Sequence, residues 1–186
     1  MLYNIEVIKQ IVRQRPDTPI LYFWGHAQES YQITSTCLSQ WYDCLFEADG
    51  VLYHTTEQYM MANKALLFGD NEVYDKIMAA EKPNKYKKLG REIRNFDSKL
   101  WDAKKYDIVV EGNKAKFSQN PELKEYLLST GDAILVEASP YDKIWGIGLD
   151  SETALKGTVE QWQGENLLGC ALMEVRDWLR GIFQEN

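Results

Sequence analysis

This chain predicts an α+β fold: a helix-rich domain around a small β-sheet. Capped helical periods fill most of the sequence, extended apolar runs are few and short, and no repeat or low-complexity linker divides it. Its 186 residues suffice for one sizeable core. They divide into an N-terminal helical extension, residues 1–18, and a main domain, residues 19–186.

Leu2, Ile5, Ile8 and Val12 mark an amphipathic helix that ends before Pro16. "PILYFWG" (19–25) is a short aromatic-rich strand, and "CLFEADGVLYHT" (44–55) reads as two strands about an Asp49-Gly50 turn. In "TTEQYMMANKALLFG" (55–69), Thr55 and Gln58 offer a capping box and Gly69 closes the helix. Asp70 caps "NEVYDKIMAAE", and Pro83 opens a helix over "PNKYKKLGREIRNF" (83–96). Asp97 caps a long helix from about Ser98 to Phe117, and "PELKEYLLST" runs from Pro121 to just before Gly131. "AILVEAS" (133–139) is β-rich and "DKIWGIG" is a glycine-punctuated loop. "NLLGCALMEVRDWLRGIF" (166–183) closes the chain as an amphipathic helix with Asn166 as its cap.

A formal charge of −7 argues against a protein that clings nonspecifically to phosphates, though a local basic pocket remains compatible with it. Three scattered cysteines, without CxxC spacing, favour a reduced, cytoplasmic setting over a disulfide framework. Two histidines with no metal-ligand spacing lead us to expect no metal and no cofactor. No apolar run approaches a membrane span, so no membrane partner is expected.

Glu57 and Lys64 stand seven residues apart on an otherwise apolar helix. Seven steps of about 100° return a side chain to within about 20° of its starting direction, so the two share a stripe with Met60, Met61 and Phe68 beside them. They are about 10 Å apart along the axis, too far for the usual helical ion pair. Either they are edge residues with partners elsewhere, or they flank a ligand. In the second case desolvation makes the carboxylate a better acid or base and the amine a better nucleophile. Trp101 offers an indole plane for a flat heteroaromatic ring, or is ordinary core. In "ASPYDKIWGIGLD" (138–150), Asp142 and Trp145 lie among Pro140, Gly146 and Gly148, where the backbone bends sharply or approaches a ligand. "KKLGREIR" places Lys87, Lys88, Arg91 and Arg94 on a solvated face, or Arg91 as a phosphate clamp. Gly164 and Asn166 precede the last helix, whose first N–H groups suit an anion.

Together, "LSQWY" (38–42), "TTEQYMMANKA" (55–65), "LGREI" (89–93), "LWDAKKYDIV" with "KAKF" (100–117), "TGDAILVEASPYDKIWGIG" (130–148) and "GENLLGCALMEVR" (164–176) closely resemble the NADAR family of YbiA-like N-glycosidases. The likeness runs from about Phe23 to the last helix. It implies hydrolysis of an N-glycosidic bond without metal. The implied substrate is a phosphorylated ribosylamine, such as the ribosylamino-pyrimidine intermediates of early riboflavin synthesis. The alternatives are an ADP-ribosyl group on guanine of nucleic acid, or a non-catalytic ADP-ribose or nucleotide reader. By the same resemblance Glu57, Lys64 and Asp142 are catalytic, and Trp101 is the family's tryptophan. Phe23, Trp24, Gly25, Trp41, Arg91, Trp145, Gly146 and Asn166 join Trp101 as expected substrate contacts. Gln40 and Trp41 stand where several relatives carry asparagine and phenylalanine, and "WGIG" where some carry "WGDG".

Two mechanisms fit these residues. Glu57 and Asp142 act as a carboxylate pair about an oxocarbenium-like transition state. Alternatively, a carboxylic acid opens the aminated sugar and neutral Lys64 forms a Schiff base with C1.

Overall fold

The computed structural model of the chain describes residues 1–26 and 32–181. In chain order its elements are α1 (Ile5–Gln14), β1 (Ile20–Phe23), β2 (Phe46–Ala48), β3 (Val51–Tyr53), α2 (Thr56–Leu67), α3 (Asn71–Met78), α4 (Pro83–Leu89), α5 (Ser98–Gln119), α6 (Pro121–Ser129), β4 (Ile134–Glu137), α7 (Ser151–Lys156) and α8 (Leu167–Leu179). Short 3-10 turns cover Ser35–Leu38 and Val159–Gln161. Two compact units result: one holds Met1–Ser39 and Pro121–Asn186, the other Gln40–Asn120.

In the first unit β1 pairs with β4 in parallel, from Ile20 opposite Ile134 to Phe23 opposite Glu137. β4 is buried through its first three residues and reads Ile-Leu-Val, the continuous apolar run of a strand covered on both faces. Helix α8 packs on it so closely that a Cβ at Gly169 would collide with the carbonyl of Leu135. α1 buries Ile8 and is pinned to the same unit by polar ties: the Tyr3 hydroxyl donates to Asp177 (2.5 Å) and Arg13 Nε to Glu160 (2.8 Å). Burial, and the hydrogen bond to Asp177 after it, pushes the Tyr3 phenol up to about 12.

In the second unit β2 and β3 form a hairpin whose two-residue turn puts Asp49 and Gly50 at φ of 52° and 76°. This double left-handed geometry is the reason for an Asp-Gly pair there. The side-chain amide of Gln119, at the end of α5, pairs with both the N–H (2.8 Å) and the carbonyl (2.7 Å) of Glu47 and so covers the hairpin's edge. Helix α2 is the buried spine, packed against α3, α4 and α5. It meets α5 at Gly112, where a Cβ would stand 2.6 Å from the ring of Tyr59.

Several expectations change. The strands form two two-stranded sheets, not one. The expected 83–96 helix stops at Leu89, because Gly90 is a poor helix former and the following turn is drawn away by Arg94 bonding to Asp70. Thr55 caps α2 through Gln58 N (3.0 Å) as expected, but the Gln58 side chain accepts from His54 N (2.9 Å), one residue before the capping-box position. α7 and the two 3-10 turns were not foreseen. Ile182 and Phe183, the end of the expected closing helix, lie outside the described residues.

Candidate active site

In the second unit Lys64 is the expected site residue with the most distinctive surroundings. Helix α2 carries it half-buried in its last turn, and its Nζ donates to the carbonyl of Gly90 (2.8 Å). The ring of Phe96 lies 4.5 Å from Nζ and that of Trp101 5.3 Å, measured to the centroids. Gly90 packs tightly on Met61, whose Sδ a Cβ there would displace. Desolvation lowers the Lys64 pKa, and the negative charge of Glu57 opposes part of that fall.

Glu57 is 4 % exposed, in the first turn of the same helix. Its N–H donates to the carbonyl of Gln40 (2.9 Å), which also accepts from Thr56 Oγ1 (3.3 Å). The segment carrying half-buried Trp41 is thereby tied to the turn that presents the carboxylate. Trp101 lies half-buried in the first turns of α5, after the Asp97 cap that accepts from Lys99 N and Leu100 N. Arg91 is exposed, one residue beyond Gly90, and forms no ion pair among the described residues. Arg94 is a structural group: its N–H and guanidinium both bond the carboxylate of buried Asp70.

In the first unit the loop after β4 is built from backbone. Asp142 Oδ1 accepts from Ile144 N (2.9 Å) and Trp145 N (2.8 Å), while Asp142 O accepts from Gly148 N (3.1 Å). Gly146 is required by crowding, since a Cβ would stand 2.8 Å from Glu137 O. Its carbonyl accepts from Asn166 N (3.1 Å), and the carbonyl of half-buried Trp145 accepts from Leu168 N (3.1 Å). Trp24 is 56 % exposed, with its ring 6.2 Å from that of Tyr141, and Gly25 follows at φ 85°.

Two expected substrate contacts are consumed by the fold. Phe23 is 3 % exposed, its side chain turned inward by strand alternation while Trp24 turns out. Asn166 is fully buried and left-handed (φ 53°). Its amide donates to Leu135 O (2.9 Å) and accepts from Glu137 N (3.0 Å), so it clamps the edge of β4 instead of capping α8. Gly90 and Phe96 were absent from the expected set. One signal pointed to Phe96: it and Trp101 occupy the N′ and N4 positions around the Asp97 cap, the spacing of a hydrophobic staple.

The model of the NADAR domain matches residues 22–180. The chain belongs to the NADAR family. Among NADAR relatives, N-glycosidase R617 of Acanthamoeba polyphaga mimivirus is 47 % identical over 161 residues, 84 % of this chain and 95 % of that protein. The chloroplastic riboflavin biosynthesis protein PYRR of Zea mays is 32 % identical over 140 residues, 72 % of this chain but 21 % of that longer protein. The NMR structure of E. coli YbiA matches with a TM-score of 0.70 at 26 % identity, covering 93 % of this chain and 95 % of that one. The helix-rich NADAR fold expected from the sequence is the fold observed. Among the described residues no helix is long and apolar enough to cross a membrane, and no cluster of three metal-ligating side chains occurs.

Proposed function

We propose that this chain is an N-glycosidase that hydrolyses the bond between ribose C1 and the amine of a phosphorylated ribosylamino-pyrimidine, releasing ribose 5-phosphate. The observation that carries this reading is the half-buried Lys64 amine with its lowered pKa, on the same helix as buried Glu57. The names of the mimivirus and maize relatives support, respectively, an N-glycosidase activity and a link to riboflavin biosynthesis.

In this reading Glu57 donates a proton to the ring oxygen, and the aminated sugar opens to an imine at C1. The neutral amine of Lys64 adds to C1, and the C1–N bond to the pyrimidine breaks as that nitrogen leaves protonated. A lysine–sugar Schiff base remains. Water adds to C1 and the C1–Lys64 bond breaks, returning the free amine and the sugar aldehyde, while the proton released from the protonated imine goes back to Glu57. Trp101 stacks the base and Arg91 holds the phosphate. The carboxylate-pair route is less favoured, because Asp142 already spends one oxygen on two backbone N–H groups.

Borohydride added during turnover tests this. A sugar-sized adduct should form and map to Lys64. Lys64→Arg, whose guanidinium stays protonated, should lose both adduct and turnover. Near-normal turnover in Lys64→Arg would overturn the Schiff-base assignment. An ADP-ribosylated guanine substrate run in parallel separates the two substrate classes. Faster release of ADP-ribose than of ribose 5-phosphate would move the assignment to nucleic acid.

A further inference from the structure

Phe96 is a large apolar side chain left 48 % exposed, yet it is held in place. Its ring stands edge-on to Phe68, with centroids 5.2 Å apart and planes at 61°. The preceding residue, Asn95, adopts φ 56°, a left-handed turn that swings the chain into the Asp97 cap. The residue before that, Arg94, anchors the turn on Asp70. Three local devices therefore fix a solvent-facing ring at one spot. That spot is 4.5 Å from the Lys64 amine.

We infer that Phe96 is a positioning residue for Lys64: with Trp101 it boxes the amine between two aromatic faces and keeps water from it. The inference rests on the reading above, in which Lys64 acts as a neutral amine. An ammonium group has three N–H donors to satisfy. Here the Gly90 carbonyl takes one, and the two rings offer only their π faces in place of water. Ring faces attract an ammonium, but less than the hydration they displace, so the enclosure favours the uncharged amine. The direction of the Lys64 shift agrees.

The charged groups around the amine leave this enclosure as the main lever. On α2 itself, Glu57 acts to keep the amine charged. The elements packed against α2 bring Asp70 and Glu72, both joined to Arg94, together with Arg91 beyond α4 and Asp97 at the start of α5. Of the two rings, Phe96 is the one to which the reading above gives no substrate contact, so it can be cut back without removing a charge or a binding residue.

The test needs no substrate. The full-length protein is acetylated with trace acetic anhydride across a pH series, and labelling is mapped by peptide, with exposed Lys87 and Lys88 as internal references. In the wild type Lys64 should titrate below both references. Phe96→Ala admits water and should raise the Lys64 midpoint by half to one unit, reducing its neutral fraction near pH 7 by about 3–10-fold. Phe96→Leu keeps the cover and removes the ring's attraction for a cation, so its midpoint should stay at or below that of the wild type. An unchanged midpoint in Phe96→Ala, or an upward shift in Phe96→Leu, would overturn the inference. Because the readout is reactivity and not turnover, it stands or falls separately from the borohydride result.

Discussion

Around Lys64 the groups that gather are mostly side chains: an amine beside two aromatic rings, a buried carboxylate on the same helix, and the Gly90 carbonyl as the amine's acceptor. Around Asp142 the construction is the reverse. A single carboxylate oxygen collects two backbone N–H groups, and most of the neighbouring hydrogen bonds of the loop join backbone to backbone. The first region is organised to perturb a titratable group. The second is organised to hold a shape. Chemistry should therefore be lost by changing single side-chain atoms near Lys64, whereas the Asp142 loop should tolerate any residue that still accepts its two hydrogen bonds.

The largest expected effect follows from the first half of that contrast. Glu57→Gln preserves size and removes the exchangeable proton, so kcat should fall by about 10²–10⁴-fold while the unfolding midpoint stays close to that of the wild type. Steady-state kinetics beside thermal melts would check it. Turnover within a few-fold of wild type would remove Glu57 from the chemistry.

The second half predicts a smaller effect, and in stability. Asp142→Ala strips both hydrogen bonds from the loop and should cost about 1–2 kcal/mol in denaturant titrations. Asp142→Asn retains an amide oxygen at the same position and should stay near wild type in stability, with turnover within a few-fold. A large loss of turnover in a stable Asp142→Asn protein would show that the second oxygen is used in catalysis, and the carboxylate-pair mechanism would replace the Schiff base.

Much of the side-chain region was legible in the sequence. Glu57 and Lys64 stand out as charges on an apolar helix, and helical geometry alone places them on one stripe. The Thr55, Asp70 and Asp97 caps were readable because a cap is a local contact within three residues. Contacts distant in sequence were not readable. Gly90 lies 26 residues from Lys64, and nothing local announces that its carbonyl will serve as an acceptor. Asn166 was misread for the same reason: before a helix an asparagine is most simply a cap, and only the fold brings β4, 29 residues earlier, within reach of its amide. The early end of α4 was hidden likewise, since the Arg94–Asp70 pair that draws the chain away spans 24 residues.

That pair supplies the smallest and most local prediction. Asp70 is buried and accepts from Arg94 through both guanidinium (3.0 and 2.5 Å) and backbone N–H (2.9 Å), with Val73 N (3.3 Å) as a further donor. These bonds, the Arg94 side chain foremost, hold its carboxyl well below the usual carboxylate range. A group depressed in the folded state binds its proton more readily when unfolded. Its stabilising contribution is therefore complete above the ordinary carboxylate pKa, about 3.9 for aspartate. It is lost as the pH falls below that value towards the folded one. Wild-type denaturation midpoints should accordingly decline as pH drops from 5 to 2.5, and Asp70→Asn should decline less. The variant should be the less stable protein near neutrality, with the gap narrowing on acidification. Parallel curves would mean that the pair contributes nothing pH-dependent. Because Arg94 anchors the turn that carries Phe96, Asp70→Asn should also loosen the cover over Lys64 and raise that amine's labelling midpoint in the direction expected of Phe96→Ala, by a smaller amount.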